Sequence, residues 1–274
     1  MHMPWRSLLC FFCAASGAPS IWAQESTAQE STAQEPAAQA PTDTATGLIW
    51  SAGLRLKMDD FRRSGQVTPR PIIGLRYGRW RAGPVDGDSW HRFGQVKTDN
   101  TLTYDWLDTA RLRTSLSASI VNLQKDSTLD ALESGRKTVR GKATIDYLAW
   151  SHWSIGLVAT QDLLNRGAGT ALSPNMTYRQ ALSDDSTLLL SQSFTWATAT
   201  MWTTDHQLSP ESTLHRGQGW GSMDTSLTLR QRWKPHLSWY MQMSRSHVLG
   251  PIYPVSLPER TTWSAQAGVI YFGR

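Results

Sequence analysis

Cysteine is almost missing from this chain of 274 residues: there are two, Cys10 and Cys13, and both fall within the first 23. Those first residues have the pattern of a secretory signal, with Arg6 ahead of an apolar run from Leu8 to Ala15 and small residues leading to Ala23. Cleavage is expected after Ala23. The alternative, a retained membrane anchor, asks a run this short to cross roughly 30 Å of hydrocarbon as a helix. Neither cysteine follows the small residues that a lipoprotein cleavage site requires. A mature chain without cysteine excludes disulfides, thiolate metal sites and cysteine nucleophiles. Long apolar runs are lacking too, and the mean hydropathy of −0.39 is too polar for a bundle of membrane helices.

Lysine and arginine are absent from residues 24–47, which repeat AQEST at 23–27 and 28–32 and then become rich in Pro, Ala and Thr. The stretch holds four carboxylates (Glu25, Glu30, Glu35 and Asp43) and too few apolar side chains to offset the entropy of ordering. A disordered periplasmic tether is expected, a short nascent helix being the alternative. Residues 48–274 carry 26 of the 27 basic residues and 18 of the 22 acidic ones, a net charge of +8. In a barrel such basic residues belong in the lumen, in loops or at the rim, beside lipopolysaccharide phosphates and anionic solutes.

What the chain does have is alternation. Trp153, Ile155, Leu157 and Ala159 oppose Ser154, Gly156, Thr160 and Asp162, and successive strand side chains point to opposite sides of a sheet. Leu48, Trp50, Ala52, Leu54, Leu56 and Met58 likewise oppose Ser51, Gly53, Arg55 and Lys57, while Leu112, Leu116 and Ile120 oppose Arg111, Arg113, Ser115 and Ser117. Period two predicts strands near 48–58, 70–81, 90–97, 101–107, 110–124, 137–149, 153–164, 171–182, 187–200, 221–233, 236–247 and 260–272. That makes an all-β, transmembrane, antiparallel up-and-down β-barrel of about twelve strands over 48–274, or ten without the third and fourth. Connection lengths agree in direction. With both ends inside, long outer loops alternate with short inner turns, except at 82–89 and 98–100. Aromatic residues fall near strand ends, at Trp50, Tyr77, Trp80, Trp150, Trp153, Trp196, Trp202, Trp220, Trp233 and Trp263, as interfacial girdles require. The chain closes on an apolar face of Trp263, Ala265, Ala267, Val269 and Tyr271, with two residues trailing Phe272.

Four stretches carry a family resemblance: Pro71-Ile-Ile-Gly-Leu-Arg-Tyr-Gly-Arg-Trp80, Ser193-Phe-Thr-Trp196, Leu208-Ser-Pro-Glu211 and Ser244-Arg-Ser-His-Val-Leu-Gly250. Together with the strand Ser264 to Phe272, they resemble the MltA-interacting protein (MipA/OmpV) family of Gram-negative outer membranes. The resemblance spans nearly all of 48–274. It departs where Asp59-Asp-Phe-Arg-Arg-Ser64 replaces the family's Tyr/Glu/Gly/Ser-rich first loop and where Pro251-Ile-Tyr-Pro254 replaces an acidic, small-residue run. It implies a non-enzymatic outer-membrane scaffold that brings together a periplasmic murein transglycosylase and a murein synthase in peptidoglycan remodelling, through short turns and the 24–47 tail. The lipid bilayer and lipopolysaccharide are the other expected partners.

The residues themselves leave two alternatives to a scaffold. One is a small anion-biased channel lined by Arg111, Arg113, Arg140, Lys142, Arg230 and Arg232, and the other an outward-facing binding protein. Histidines 91, 152, 206, 215, 236 and 247 invite pairings such as Ser246-His247 or Asp205-His206, but no nucleophile motif surrounds either. His206 and His215 share a loop with Asp205 and Glu211 without compact metal-ligand spacing. They are read as water-facing loop residues. No catalytic, cofactor-binding or metal-ligating residue is assigned. Gly217-Gln-Gly-Trp-Gly221 opens a strand rather than a helix and so is no phosphate cradle. Export also argues against the nucleic-acid reading that basic residues interleaved with aromatics would otherwise raise.

Overall fold

The computed structural model describes residues 47–59, 66–84, 101–122, 137–166, 169–205, 217–249 and 261–273. The expected signal (1–23) lies outside them, as does the expected tether (24–47) apart from Gly47. Twelve antiparallel strands pair in chain order and close on themselves, β1 against β12. They are β1 (Leu48–Asp59), β2 (Val67–Tyr77), β3 (Trp80–Ala82), β4 (Leu102–Asp108), β5 (Leu112–Asn122), β6 (Lys137–Leu148), β7 (Trp153–Asp162), β8 (Thr170–Ala181), β9 (Ser186–Ala197), β10 (Gly219–Lys234), β11 (Leu237–Val248) and β12 (Thr261–Gly273). One helix, α1 (Ala199–Asp205), follows β9. Among the described residues no helix is long and apolar enough to cross a membrane.

The third strand departs from the expectation. The alternation at 90–97 lies outside the described residues, and the third position in the wall belongs to the three residues Trp80–Ala82. The second strand therefore stops at Tyr77 rather than running to 81, because Gly78 takes a positive φ of 57° and the chain reverses so that Tyr77 pairs with Trp80. Glycine enters this left-handed region without the Cβ clash that penalises other residues. This change also removes the two exceptions in connection length. The intervals at one end are 78–79, 109–111, 149–152, 182–185 and 235–236, all short, and those at the other are 60–66, 83–101, 123–136, 163–169, 198–218 and 249–260, all longer. We refer to these as the turn end and the loop end.

The wall is inverted relative to a water-soluble protein. Leu54, Leu56, Ile73, Leu75, Leu116, Ile120, Ile145, Ile155, Leu157, Leu190, Leu227, Met241 and Val269 are exposed on the outside. Ser51, Thr103, Ser115, Thr144, Asp146, Ser154, Thr160, Thr177, Thr228 and Ser238 are buried inside. Ile120 is 74% exposed whereas Thr177 is 2% exposed, the reverse of what water would select. Closure pairs the strand backbones within the sheet, except along β2 before Leu75, as suits a wall in hydrocarbon, where an unpaired peptide group costs on the order of several kcal/mol. β2 bears Pro69 and Pro71 in the stretch beyond the reach of β3, whose pairing ends at Leu75 with Ala82. Proline suits such an edge because it has no N–H to offer a neighbour.

Aromatic residues gather at the strand ends. Trp50 packs against Tyr271 (ring centroids 5.5 Å apart), Trp80 against Tyr104 (4.9 Å) and Trp153 against Tyr178 (4.9 Å) toward the turn end. Phe194 meets Trp220 edge to face at the loop end. Trp106, at 65% exposure, joins the turn-end belt although the sequence reading passed it over. Trp202 is the exception in the other direction: it is buried in α1, inside the mouth of the barrel, and belongs to no girdle.

Candidate functional site: the barrel lumen

Alternation delivers one polar side chain in two to the interior, so the lumen is built from the inward residues of all the strands. Its turn end is occupied by ion pairs. Asp105, on β4, is buried between two guanidinium groups: Arg81 Nε of β3 donates to its Oδ1 and Oδ2 at 3.2 and 3.1 Å, and Arg113 Nη2 of β5 donates to both oxygens at 3.2 Å. Arg76 of β2 lies 3.8 Å from Asp108. On the far side of β5, Arg113 stands directly opposite Asp146 of β6. The carboxylates share the charge of the arginines, which is what allows groups of both kinds to be buried at all.

A second part of the interior is filled by packing. Tyr240, Ile72 and Ile270 form a buried cluster with Phe272 against it, and the Arg55 guanidinium interacts with Tyr240. Gly268 is the complement of Tyr240, since a Cβ there would lie 2.6 Å from Tyr240 Cε1. After β3 the chain turns inward at Gly83 (φ 72°), and Pro84 carbonyl oxygen accepts from Ser51 Oγ at 2.5 Å. Gly74 makes room for this, because a Cβ on it would sit 2.8 Å from that carbonyl oxygen.

The remaining sector, from β6 to β11, holds a cavity of about 500 Å³. Hydroxyls and amides dominate its wall: Thr160, Ser173, Asn175, Thr177, Ser191, Ser193, Ser226, Gln242 and Ser244, with Lys142 and Asp224 the charged residues. Neighbouring strands tie their hydroxyls together, Thr177 to Ser191 at 2.9 Å and Ser173 to Thr195 at 3.1 Å. At the loop end of this sector α1 folds inward. Thr198 caps it, its Oγ1 accepting from Met201 N at 3.4 Å, and Met201 and Trp202 pack on Ala171 and Ala197. Trp202 Nε1 donates to Gly219 carbonyl oxygen at 3.2 Å, and the indole lies on Gly221, where any Cβ would strike the ring. On the neighbouring strand β7, Asp162 accepts from Thr138 Oγ1 and from the backbone N–H groups of Leu164 (3.2 Å) and Arg166 (2.6 Å). This carboxylate shapes the turn that leaves β7.

The six cations expected to line an anion-biased lumen are thus dispersed. Lys142 reaches the cavity, and Arg113 is held by Asp105 at the turn end. Arg230 is buried against Ser238 (3.4 Å), and Arg140 pairs in register with Asp162. Arg111 lies exposed in the turn before β5, and Arg232 is at the rim, 2.8 Å from Asp185. The histidines are dispersed as well. His152 and His236 sit in turn-end connections, and His247 Nδ1 meets Thr261 Oγ1 at 2.8 Å. His91, His206, His215 and Glu211 lie outside the described residues. Among the described residues no three His, Cys, Asp or Glu side chains converge as a metal site.

No family model and no curated protein matches the chain. Solved structures similar to it include OmpT, an outer membrane protein of Vibrio cholerae, at 8% identity, covering 83% of this chain and 97% of that one with a TM-score of 0.41. The Pseudomonas putida toluene transporter TodX is similar at 10% identity, covering 85% and 90% with a TM-score of 0.41. The KdgM porin is similar at 12% identity, covering 81% and 98% with a TM-score of 0.37. At these scores the comparisons add nothing to the architecture that strand pairing already defines.

Proposed function

We propose that this protein is a non-enzymatic barrel of the Gram-negative outer membrane that admits small polar solutes into its lumen from the loop end. The observation that carries this reading is the cavity of about 500 Å³ walled by Ser, Thr, Asn and Gln within a closed sheet whose outside is apolar. A barrel that only anchored a partner could fill its interior on every side, as this one does around Tyr240. Residues 1–23 are then the export signal, residues 24–47 a periplasmic tether, and the turn end faces the periplasm. Lipopolysaccharide and phospholipid contact the outer belt. The test is reconstitution of the purified barrel in planar bilayers and in liposomes. Discrete conductance steps and swelling in small polar solutes are expected, and a silent bilayer with no swelling would refute passage.

The second reading is the scaffold for peptidoglycan-remodelling enzymes, which the resemblance to the MipA/OmpV family favours. Its contacts would come from the turn end, where Arg111, Asp184 and Asp185 are exposed, and from the tether. Affinity capture on the folded barrel from solubilised outer membranes tests it. A murein transglycosylase or synthase retained by the full chain and lost without residues 24–46 supports the scaffold, and recovery of neither rejects it.

A further inference from the structure

The outer face of β11, β12 and β1 changes character toward the loop end. In register across these strands, Met241, Ala267 and Leu56 form one row and Met243, Ala265 and Met58 the next. The longer side chains flank the two alanines, which leaves a shallow apolar trough along β12 with Leu56, Met241 and Met243 exposed beside it. The following row brings a charge. Arg245 stands opposite Trp263 and is exposed, its Cζ 5.8 Å from the centre of the Trp263 ring. One row further, His247 Nδ1 meets Thr261 Oγ1 at 2.8 Å. Trp263 and Tyr271 bracket the apolar face of β12, so Arg245 lies at the loop-end boundary of the apolar band and not in its middle. Among the described residues no carboxylate pairs with it, in contrast to the inward Arg81 and Arg113, which share Asp105. A guanidinium turned outward at the lipid boundary without a carboxylate beside it calls for an anion from the membrane itself.

We propose that this face is a binding site for a phosphorylated glycolipid of the outer leaflet, the lipid A part of lipopolysaccharide, with a phosphate on Arg245 and an acyl chain in the trough over Ala265 and Ala267. The proposal rests on the reading that the loop end faces out of the cell, and names where on the wall the lipid is held. The planar guanidinium can donate to two phosphate oxygens at once, and the Trp263 ring beneath it fixes its direction before the lipid arrives. His247, tied to Thr261, puts a second polar group on the same face. Met241 and Met243 are unbranched and adapt their shape to a chain lying between them and Leu56. Charge and trough adjoin in the order in which a phosphate and an acyl chain follow each other in such a lipid.

Native mass spectrometry of the detergent-folded barrel, titrated with diphosphoryl lipid A, with the same lipid stripped of its phosphates and with phosphatidylglycerol, tests the site. Saturable retention of one diphosphoryl lipid A is expected, weakened about tenfold or more by removal of the phosphates or by Arg245→Gln, since a hydrogen bond to a charged group is worth about that factor. Ala265→Phe, which fills the trough and leaves the charge in place, should weaken retention too. Equal retention of the three lipids by the unaltered protein, or retention indifferent to Arg245→Gln, overturns the proposal. The comparison of lipids needs no variant, so it stands even where a variant fails to assemble. Labelling of Gln218→Cys on intact cells by a membrane-impermeant maleimide separates this inference from the reading beneath it, because Gln218 is exposed at the loop end. Labelling without a preference among lipids keeps the orientation and removes the site. A preference without labelling puts the loop end on the wrong side of the membrane and overturns the assignment to lipopolysaccharide.

Discussion

Asp105→Ala is expected to be among the most damaging single substitutions in this barrel. The Asp105 side chain is 1% exposed, and it stands between Arg81, at 13%, and Arg113, at 8%. Two unit charges about 4 Å apart interact by about 4 kcal/mol at an effective dielectric constant near 20. Deleting the carboxylate forfeits two such attractions and leaves two guanidinium groups facing each other with little water to separate them. Part of the loss returns as the removed desolvation cost of Asp105, and Asp146, opposite Arg113, takes up some of the stranded charge. Removal of one partner of a buried ion pair costs about 3–5 kcal/mol, and the upper half of that range is expected here. Equilibrium urea unfolding of the barrel in lipid vesicles measures it. Asp105→Asn, which keeps shape and acceptor but not charge, should fall between the wild type and Asp105→Ala. In the double variant Asp105→Ala/Arg113→Met the penalty should be smaller than the sum of the singles by more than about 1 kcal/mol, because the two side chains touch. If Asp105→Ala lies within about 0.5 kcal/mol of wild type, as an ordinary surface change does, the turn-end network is not a buried one and the reasoning fails.

Other consequences can be checked separately. Leu157→Arg places a charge on the lipid face at mid-strand and should impair membrane assembly, at a cost of about 2–4 kcal/mol, whereas Thr160→Arg points into the lumen and should assemble normally; heat-modifiable migration of membrane fractions distinguishes them, and equal assembly would contradict the face assignment. Gly268→Ala drives a methyl group against the Tyr240 ring and should destabilise the barrel by about 1–3 kcal/mol, with much of the loss recovered in Gly268→Ala/Tyr240→Leu by the same unfolding assay. Trp202→Ala strips the loop-end helix of its anchor on Gly221 and should raise single-channel conductance; an unchanged conductance would show that α1 does not narrow the mouth. Deletion of residues 24–46 should leave barrel stability unaltered and, on the scaffold reading, abolish capture of murein enzymes.

The faces of the strands were legible in the sequence because a sheet closed on itself in lipid needs one apolar and one polar side throughout its length. Leu54 and Ser51, or Leu157 and Ser154, announce their sides by identity alone. The third strand was hidden by a feature that period two does not represent. Ile73, Leu75 and Tyr77 point outward at odd positions and Trp80 at an even one, since the chain reverses at Gly78-Arg79 and the parity changes there. That switch at a Tyr-Gly-Arg-Trp run was the available signal. Helix α1 gave no comparable sign. It is seven residues long with three threonines, and it forms because Ala171, Ala197 and Gly221 leave a hollow that Met201 and Trp202 fill. The arginines could be placed on the inner face, but not matched with their carboxylates. Which Asp meets which Arg depends on inter-strand register and on the reach of the side chains: Arg113 stands opposite Asp108 and Asp146 in register, yet its guanidinium binds Asp105.

The hydroxyl pairs along the cavity wall have a consequence for how selective such a wall can be. In the Thr177–Ser191 and Ser173–Thr195 pairs either oxygen can be the donor, so a rotation about one C–O bond reverses the direction of the bond without moving a heavy atom. Such a surface behaves like a layer of solvent frozen in position but free in polarity. It greets a carboxylate with hydrogens and an ammonium with lone pairs at nearly equal cost. Discrimination by sign is therefore left to the few fixed charges, and a substitution among the serines should broaden or narrow the cavity without changing what it prefers.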